Sequence, residues 1–186
     1  MMRRSSMAAA ALMTLLLGPT TARLHAQLPI SVGLGGGTSL PLGSFGDDVS
    51  PGWRALGTLG LEVPIIPIGV RLDAAYDRFS VNRALVGASG SPSGSRRVAS
   101  FTVNATYRLL PLPLLTPYLI AGGGSYNVGC GGGVSCQSQT SFGWNGGAGL
   151  KFGALGIHAF AEARYHHVNV SGTSVQFVPV TVGLMF

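Results

Sequence analysis

Two adjacent histidines, His166 and His167, followed by Asn169 and Ser171, are the residues whose spacing most invites a chemical reading. Hydrolysis by a side-chain nucleophile needs a base that touches the nucleophile and a third group that orients the base. In an extended chain alternate residues share a face, so the partner of His167 two positions on is an amide, Asn169, and no carboxylate lies on that face. Ser171 falls four positions away, at the end of the run. The pattern suits histidines hydrogen-bonding at an interface better than a hydrolase. Cys130 and Cys136 flank GGGVS. An even cysteine count and a short glycine-rich loop favour a disulfide between them in an exported chain, whereas a metal site would need more ligands than the stretch offers. The runs GLGGGTSLPLG and CGGG lack the Gly-Lys-Ser/Thr ending of a phosphate loop. No catalytic residue, metal or cofactor is expected.

The charged residues are ordered in a different way. Glu62, Asp73, Asp77 and Glu162, with Arg71, Arg108, Lys151 and Arg164, all fall on one side of alternating runs whose other side is apolar. In 53–63, Trp53, Ala55, Leu59, Leu61 and Val63 oppose Arg54, Thr58, Gly60 and Glu62. In 68–79, Ile68, Val70, Leu72, Ala74 and Tyr76 oppose Arg71, Asp73, Ala75 and Asp77. The same holds for 100–109, 157–167 and 178–186, and more weakly for 30–40, 118–127 and 142–152, which makes eight strands of about 10 to 12 residues. Globular strands are shorter, about five or six residues; this length suits a tilted crossing of a bilayer.

The chain start bears on its destination. Arg3 and Arg4 precede an apolar stretch from Met7 to Leu17, then Gly18 and Pro19, with Ala26 or Ala22 as the small residue at the cut. Residues 1–26 therefore read as a secretory signal peptide and 27–186 as one exported domain. Removing Arg3, Arg4 and Arg23 lowers the formal charge from +6 to about +3, so the basic balance is no argument for nucleic acid. No later apolar run reaches the length of a transmembrane helix.

The connections alternate between short and proline-rich (PIIP, PLPLLT, GALG) and long and polar (PLGSFGDDVSPG, SVNRALVGASGSPSGSR, VGCGGGVSCQSQ). Aromatic residues on the apolar face gather near strand ends, Trp53, Phe101, Trp144 and Tyr165 at the long-loop end and Tyr107, Tyr118, Phe152 and Phe186 at the other. These are marks of an all-β, eight-stranded, antiparallel up-and-down transmembrane β-barrel. A closed barrel also explains a chain ending on Phe186: the last strand must pair with the first, with no fraying tail. The charged face then lines a lumen just wide enough to be filled by side chains. It is expected to be plugged by paired charges, with Gly123, Ser125, Asn145, Gly147 and Gly149 leaving room for the arginines; a narrow ion channel is the alternative.

With GLGGGTSLPLGSFGD, PYLIAGGGSYNVG, GWNGGAGLKF, FAEARYHHV and a terminal VPVTVGLMF, residues 27–186 resemble the small outer-membrane barrels of the OmpA and OmpX type. The resemblance implies an outer-membrane location and a structural or surface-interaction role. It also implies that Val180, Val182, Leu184 and Phe186 form the signal read by the barrel-assembly machinery, and that no peptidoglycan-binding domain follows. Some barrels of this size, such as lipid A deacylases, place a His and a Ser two residues apart on the lipid-facing wall; the Asn169 noted above departs from that. Arg54, Arg78, Arg83, Arg96 and Arg97 fall at the long-loop end, where they either contact the phosphates of lipopolysaccharide or are simply solvated. A monomer is expected.

Overall fold

The computed structural model describes residues 30–62, 66–81, 94–110, 112, 114–131, 137–154, 157–170 and 172–186. Its strands are β1 (Ile30–Leu42), β2 (Val49–Glu62), β3 (Ile68–Val81), β4 (Ser95–Arg108), β5 (Leu115–Gly131), β6 (Gln139–Ala154), β7 (Ile157–Val170) and β8 (Thr173–Met185), with one short helix, α1 (Gly43–Asp48), between β1 and β2. Each strand pairs antiparallel with the next and β8 pairs with β1, so the sheet closes into an up-and-down barrel. At the seam Val32 and Phe186 exchange both backbone hydrogen bonds, at 3.0 and 2.8 Å.

The strands run 13 to 17 residues, longer than the alternation alone indicated. Pairing costs nothing extra where the ladder leaves the bilayer, so hairpins continue outward until turn residues stop them. The outward face is apolar and open along its length: Leu34 is 70% exposed, Val182 60% and Val103 50%. Apolar surface on this scale marks a face that meets lipid or another protein.

Two features differ from expectation. The segment after β1 is not simply a loop; α1 folds back over the end of the barrel and buries Phe45. The phase of β5 is also opposite to that expected. Tyr118, Ile120, Tyr126 and Val128 are buried inside, while Ser125 is exposed on the outer wall and Gly123 shares that wall. Tyr118 therefore leaves the short-turn girdle, and Gly123 and Ser125 leave the lumen. Both alternating sets around the Gly122–Gly124 run are apolar or small, so hydropathy could not choose between them; interior bonding of Tyr118 does.

Val103 lies mid-strand on the outer wall. Arginine there should destabilise the barrel in a bilayer by about 2–4 kcal/mol, where an ordinary exposed substitution stays within about 0.5 kcal/mol. Urea titration of V103R in vesicles checks this.

Candidate functional site

The interior is built in layers. Nearest the α1 end, Phe45, Phe79 and Phe177 stack edge to face, with centroids 5.1 and 5.7 Å apart. Val49, Val98, Val128, Val168 and Val175 complete this apolar plug. His166 stacks flat on Phe177 at 4.9 Å, and its Nδ1 lies 2.9 Å from the Tyr126 hydroxyl. The paired charges expected in the lumen are thus joined, in its outer part, by a small hydrophobic core.

Below the plug the charges begin. Arg54 Nη1 donates to both carboxylate oxygens of Asp77, at 3.0 and 2.8 Å, and Ser39 Oγ donates to the same carboxylate. Arg54 is only 4% exposed. Its place near the start of β2 groups it with the outer arginines, but its inward face sets it on Asp77 and away from any lipid phosphate.

At the centre β3 and β7 each present an arginine and an acid two residues apart on the inner face, and the four meet across the lumen. Arg71 pairs with Asp73 (3.0 Å) and Glu162 (2.7 Å); Arg164 pairs with Asp73 (2.8 Å) and with Glu162. Each carboxylate thus lies between two guanidinium groups, the fork geometry that Arg provides and Lys does not. Further donors complete the set: Asn104 to Asp73 at 2.8 Å, Asn145 to Asn104 at 2.9 Å, and the Tyr118 hydroxyl to Glu162 at 2.8 Å. Arg71 also lies over the Phe160 ring, 5.9 Å from its centroid. At the opposite mouth Lys151 pairs with Glu62 and lies over Tyr118, 5.5 Å from that centroid.

Of the eight expected lumen charges, Glu62, Arg71, Asp73, Asp77, Lys151, Glu162 and Arg164 form these pairs. Arg108 donates to the carbonyl of Ile66, in the β2–β3 connection. Among the described residues the fully buried ions balance as three arginines (Arg54, Arg71, Arg164) and three acids (Asp73, Asp77, Glu162). Balance is required, because an unpaired ion here would cost several kcal/mol. Asn145, Gly147 and Gly149 face inward as expected. Gly149 is needed for space: a Cβ there would lie 2.4 Å from Tyr118 Cζ and 2.5 Å from its hydroxyl.

On the outer wall Trp144 stacks with His167 at 5.6 Å, His167 Nε2 lies 3.0 Å from Asn169 Oδ1, and the Tyr165 hydroxyl is 3.4 Å from His167 Nδ1. The ring nitrogens thus face a phenol and an amide oxygen; Ser171 lies outside the described residues. Arg78 and Arg97 are exposed on this wall, Arg96 is half-buried on the inner face, and Arg83 lies outside the described residues. Cys130 is the last residue but one of β5, opposite Arg96, and no cysteine among the described residues is free; Cys136 is outside them. Among the described residues no group of acids, histidines and cysteines could hold a metal.

A closed eight-stranded barrel with an apolar outer wall and a charge-paired interior is a transmembrane β-barrel. The family model for the outer membrane protein beta-barrel domain matches residues 7–186, and the chain belongs to that family. Among solved structures it is similar to Neisserial surface protein A (19% identity, TM-score 0.65, covering 84% of this chain and 96% of that one). It is also similar to the N-terminal β-barrel domain of Pseudomonas aeruginosa OprF (19%, TM-score 0.50, 84% and 97%). The Yersinia pestis outer membrane protein Ail in a nanodisc is a third (17%, TM-score 0.50, 85% and 99%). At these identities the likeness is one of fold. No curated protein matches significantly.

Replacing Arg164 with Met leaves Asp73 and Glu162 each short of a cation and should cost about 3–5 kcal/mol. Replacing Arg71, Asp73, Glu162 and Arg164 together with apolar residues of similar volume should recover most of that loss. Gly149→Ala should cost about 1–3 kcal/mol by forcing Tyr118 from its place. Urea midpoints in one detergent, followed by the mobility of unboiled samples, rank all three.

Proposed function

We propose that residues 27–186 act as a monomeric, non-enzymatic barrel of the bacterial outer membrane, closed to ions, which supports the envelope and displays its outer segments to partners in an adhesion-like role. The observation that carries this reading is the contrast between the two walls: apolar and exposed outside, charge-paired and sealed by Phe45, Phe79 and Phe177 within. Such a wall suits lipid as its solvent, and such a filling argues against a continuous water path. The closed ladder has no edge strand to recruit a second copy, which supports a monomer. The neighbours of His167, an amide and a phenol, support a non-enzymatic wall.

Three further assignments belong to the same reading. Residues 1–26 direct export. Cys130 and Cys136 form a disulfide in the oxidising periplasm. Val180, Val182, Leu184 and Phe186, which all face outward at the seam, present the assembly signal to the barrel-assembly machinery.

Unboiled protein refolded into micelles should migrate differently from boiled protein and show strand-rich circular dichroism. In planar bilayers it should pass no steady current. Discrete conductance steps from a folded sample would overturn the closed lumen, and solubility in plain buffer without a mobility shift would overturn the membrane assignment.

A further inference from the structure

Two of the short connections carry large apolar side chains that the barrel does not cover. In the β2–β3 connection Ile66 is 48% exposed; in the β4–β5 connection Leu109, Leu110, Leu112 and Leu114 are 47 to 69% exposed. The two connections are laced together at Arg108, whose backbone amide donates to the Pro67 carbonyl at 2.8 Å and whose guanidinium donates to the Ile66 carbonyl. Above them the outer wall is apolar and exposed at Ile68, Tyr107 and Leu119. Apolar surface that gathers in this way marks a contact with lipid or with another protein.

The composition of both segments lowers the cost of taking them out of water. Residues 63–70 and 109–118 contain no Asp, Glu, Lys or Arg. They also hold five of the chain's eleven prolines, Pro64, Pro67, Pro111, Pro113 and Pro117. Proline has no backbone N–H, so each removes a donor that would need a partner in lipid. The amides of Leu109 and Leu112 are bonded as well, to the carbonyls of Pro117 and Leu110 at 2.9 and 3.0 Å. The remaining short connection, GALG, has one leucine and no proline, so this character belongs to the β2–β5 side.

We infer that these two turns form a pad seated in the periplasmic leaflet of the membrane, with Ile66, Leu109, Leu110, Leu112 and Leu114 entering the boundary between headgroups and acyl chains. The pad holds Tyr107, just above it, deeper in that leaflet than polar turns would. Its occupant is the leaflet itself, because the patch continues directly into the wall of Ile68, Tyr107 and Leu119 that already faces lipid. The inference rests on the membrane reading above and adds a second kind of lipid contact, made by turns instead of strands.

The test uses the full mature chain in phosphatidylcholine bicelles, which leave both faces of the membrane open to solutes, and reads tryptophan fluorescence. The chain has two tryptophans, Trp53 and Trp144, and lipid with brominated acyl chains should quench both. No quenching there would overturn the membrane reading and the pad with it. In a W53F/W144F background, Leu112→Trp should be quenched by brominated lipid and shielded from iodide, whereas Thr173→Trp, in the outer β7–β8 hairpin, should show the reverse. Every variant is first checked for its heat-dependent mobility shift, so that only folded barrels are compared. Iodide quenching of L112W as strong as that of T173W would overturn the pad and leave the patch to a periplasmic protein. Tyr107→Trp, in the same background, reads the depth that the pad sets. Changing Leu110, Leu112 and Leu114 to serine, all outside the barrel interior, should shift its strongest quenching to bromines nearer the headgroups. An unchanged depth profile would show that the turns take no hold on the leaflet.

Discussion

Inside a bilayer the chain has no water to satisfy its backbone, and each unpaired amide or carbonyl costs several kcal/mol. That requirement governs everything else in this protein. It demands a closed ladder, which fixes the up-and-down order, brings Phe186 beside Val32 and makes the number of strands a choice of diameter rather than of detail. Eight strands then enclose a space that side chains must fill. The outer wall is left to be apolar, because lipid is its solvent.

Filling so narrow a tube is a packing problem with an electrostatic constraint. The strands farthest apart around the circumference, β3 and β7, are joined across the lumen by Arg71, Asp73, Glu162 and Arg164. Those bonds act as cross-ties, resisting flattening of the barrel in a way that the ladder, which bends easily around its axis, does not. Interior glycines on β6 admit the large side chains that project from the other walls. Toward the outside the filling changes from ions to rings and valines, so access of water to the cross-ties is blocked from that end by Phe45, Phe79 and Phe177.

The strands most legible in the sequence were those in which charge and hydropathy alternate together. β3 and β7 carry Arg, Asp or Glu at neighbouring inward positions, and β2 at Arg54 and Glu62, against Leu, Val or Ala, and a one-residue slip would place ions in lipid. β5 carries no ion between Leu115 and Gly131, so its phase was decided by an interior hydrogen bond, Tyr118 to Glu162, that joins residues 44 positions apart. Arg54 was legible in its height near the outer end of β2 but not in its partner, since nothing local says whether an arginine there turns in to Asp77 or out to solvent. α1 was missed because six residues containing two glycines have little helical propensity; packing of Phe45 on Phe79 holds it in place.

That small helix lies across the seam, touching β8 and β1 as well as β2. The seam joins the two ends of the strand order, so it is the contact of greatest sequence separation and the slowest to close by chance. α1 sits on the far side of the membrane from the chain terminus. Its contacts join the first hairpin to the last strand. Phe45 therefore has its full set of neighbours only where the two ends of the strand order meet, and one buried phenylalanine ties the seam to the apolar plug.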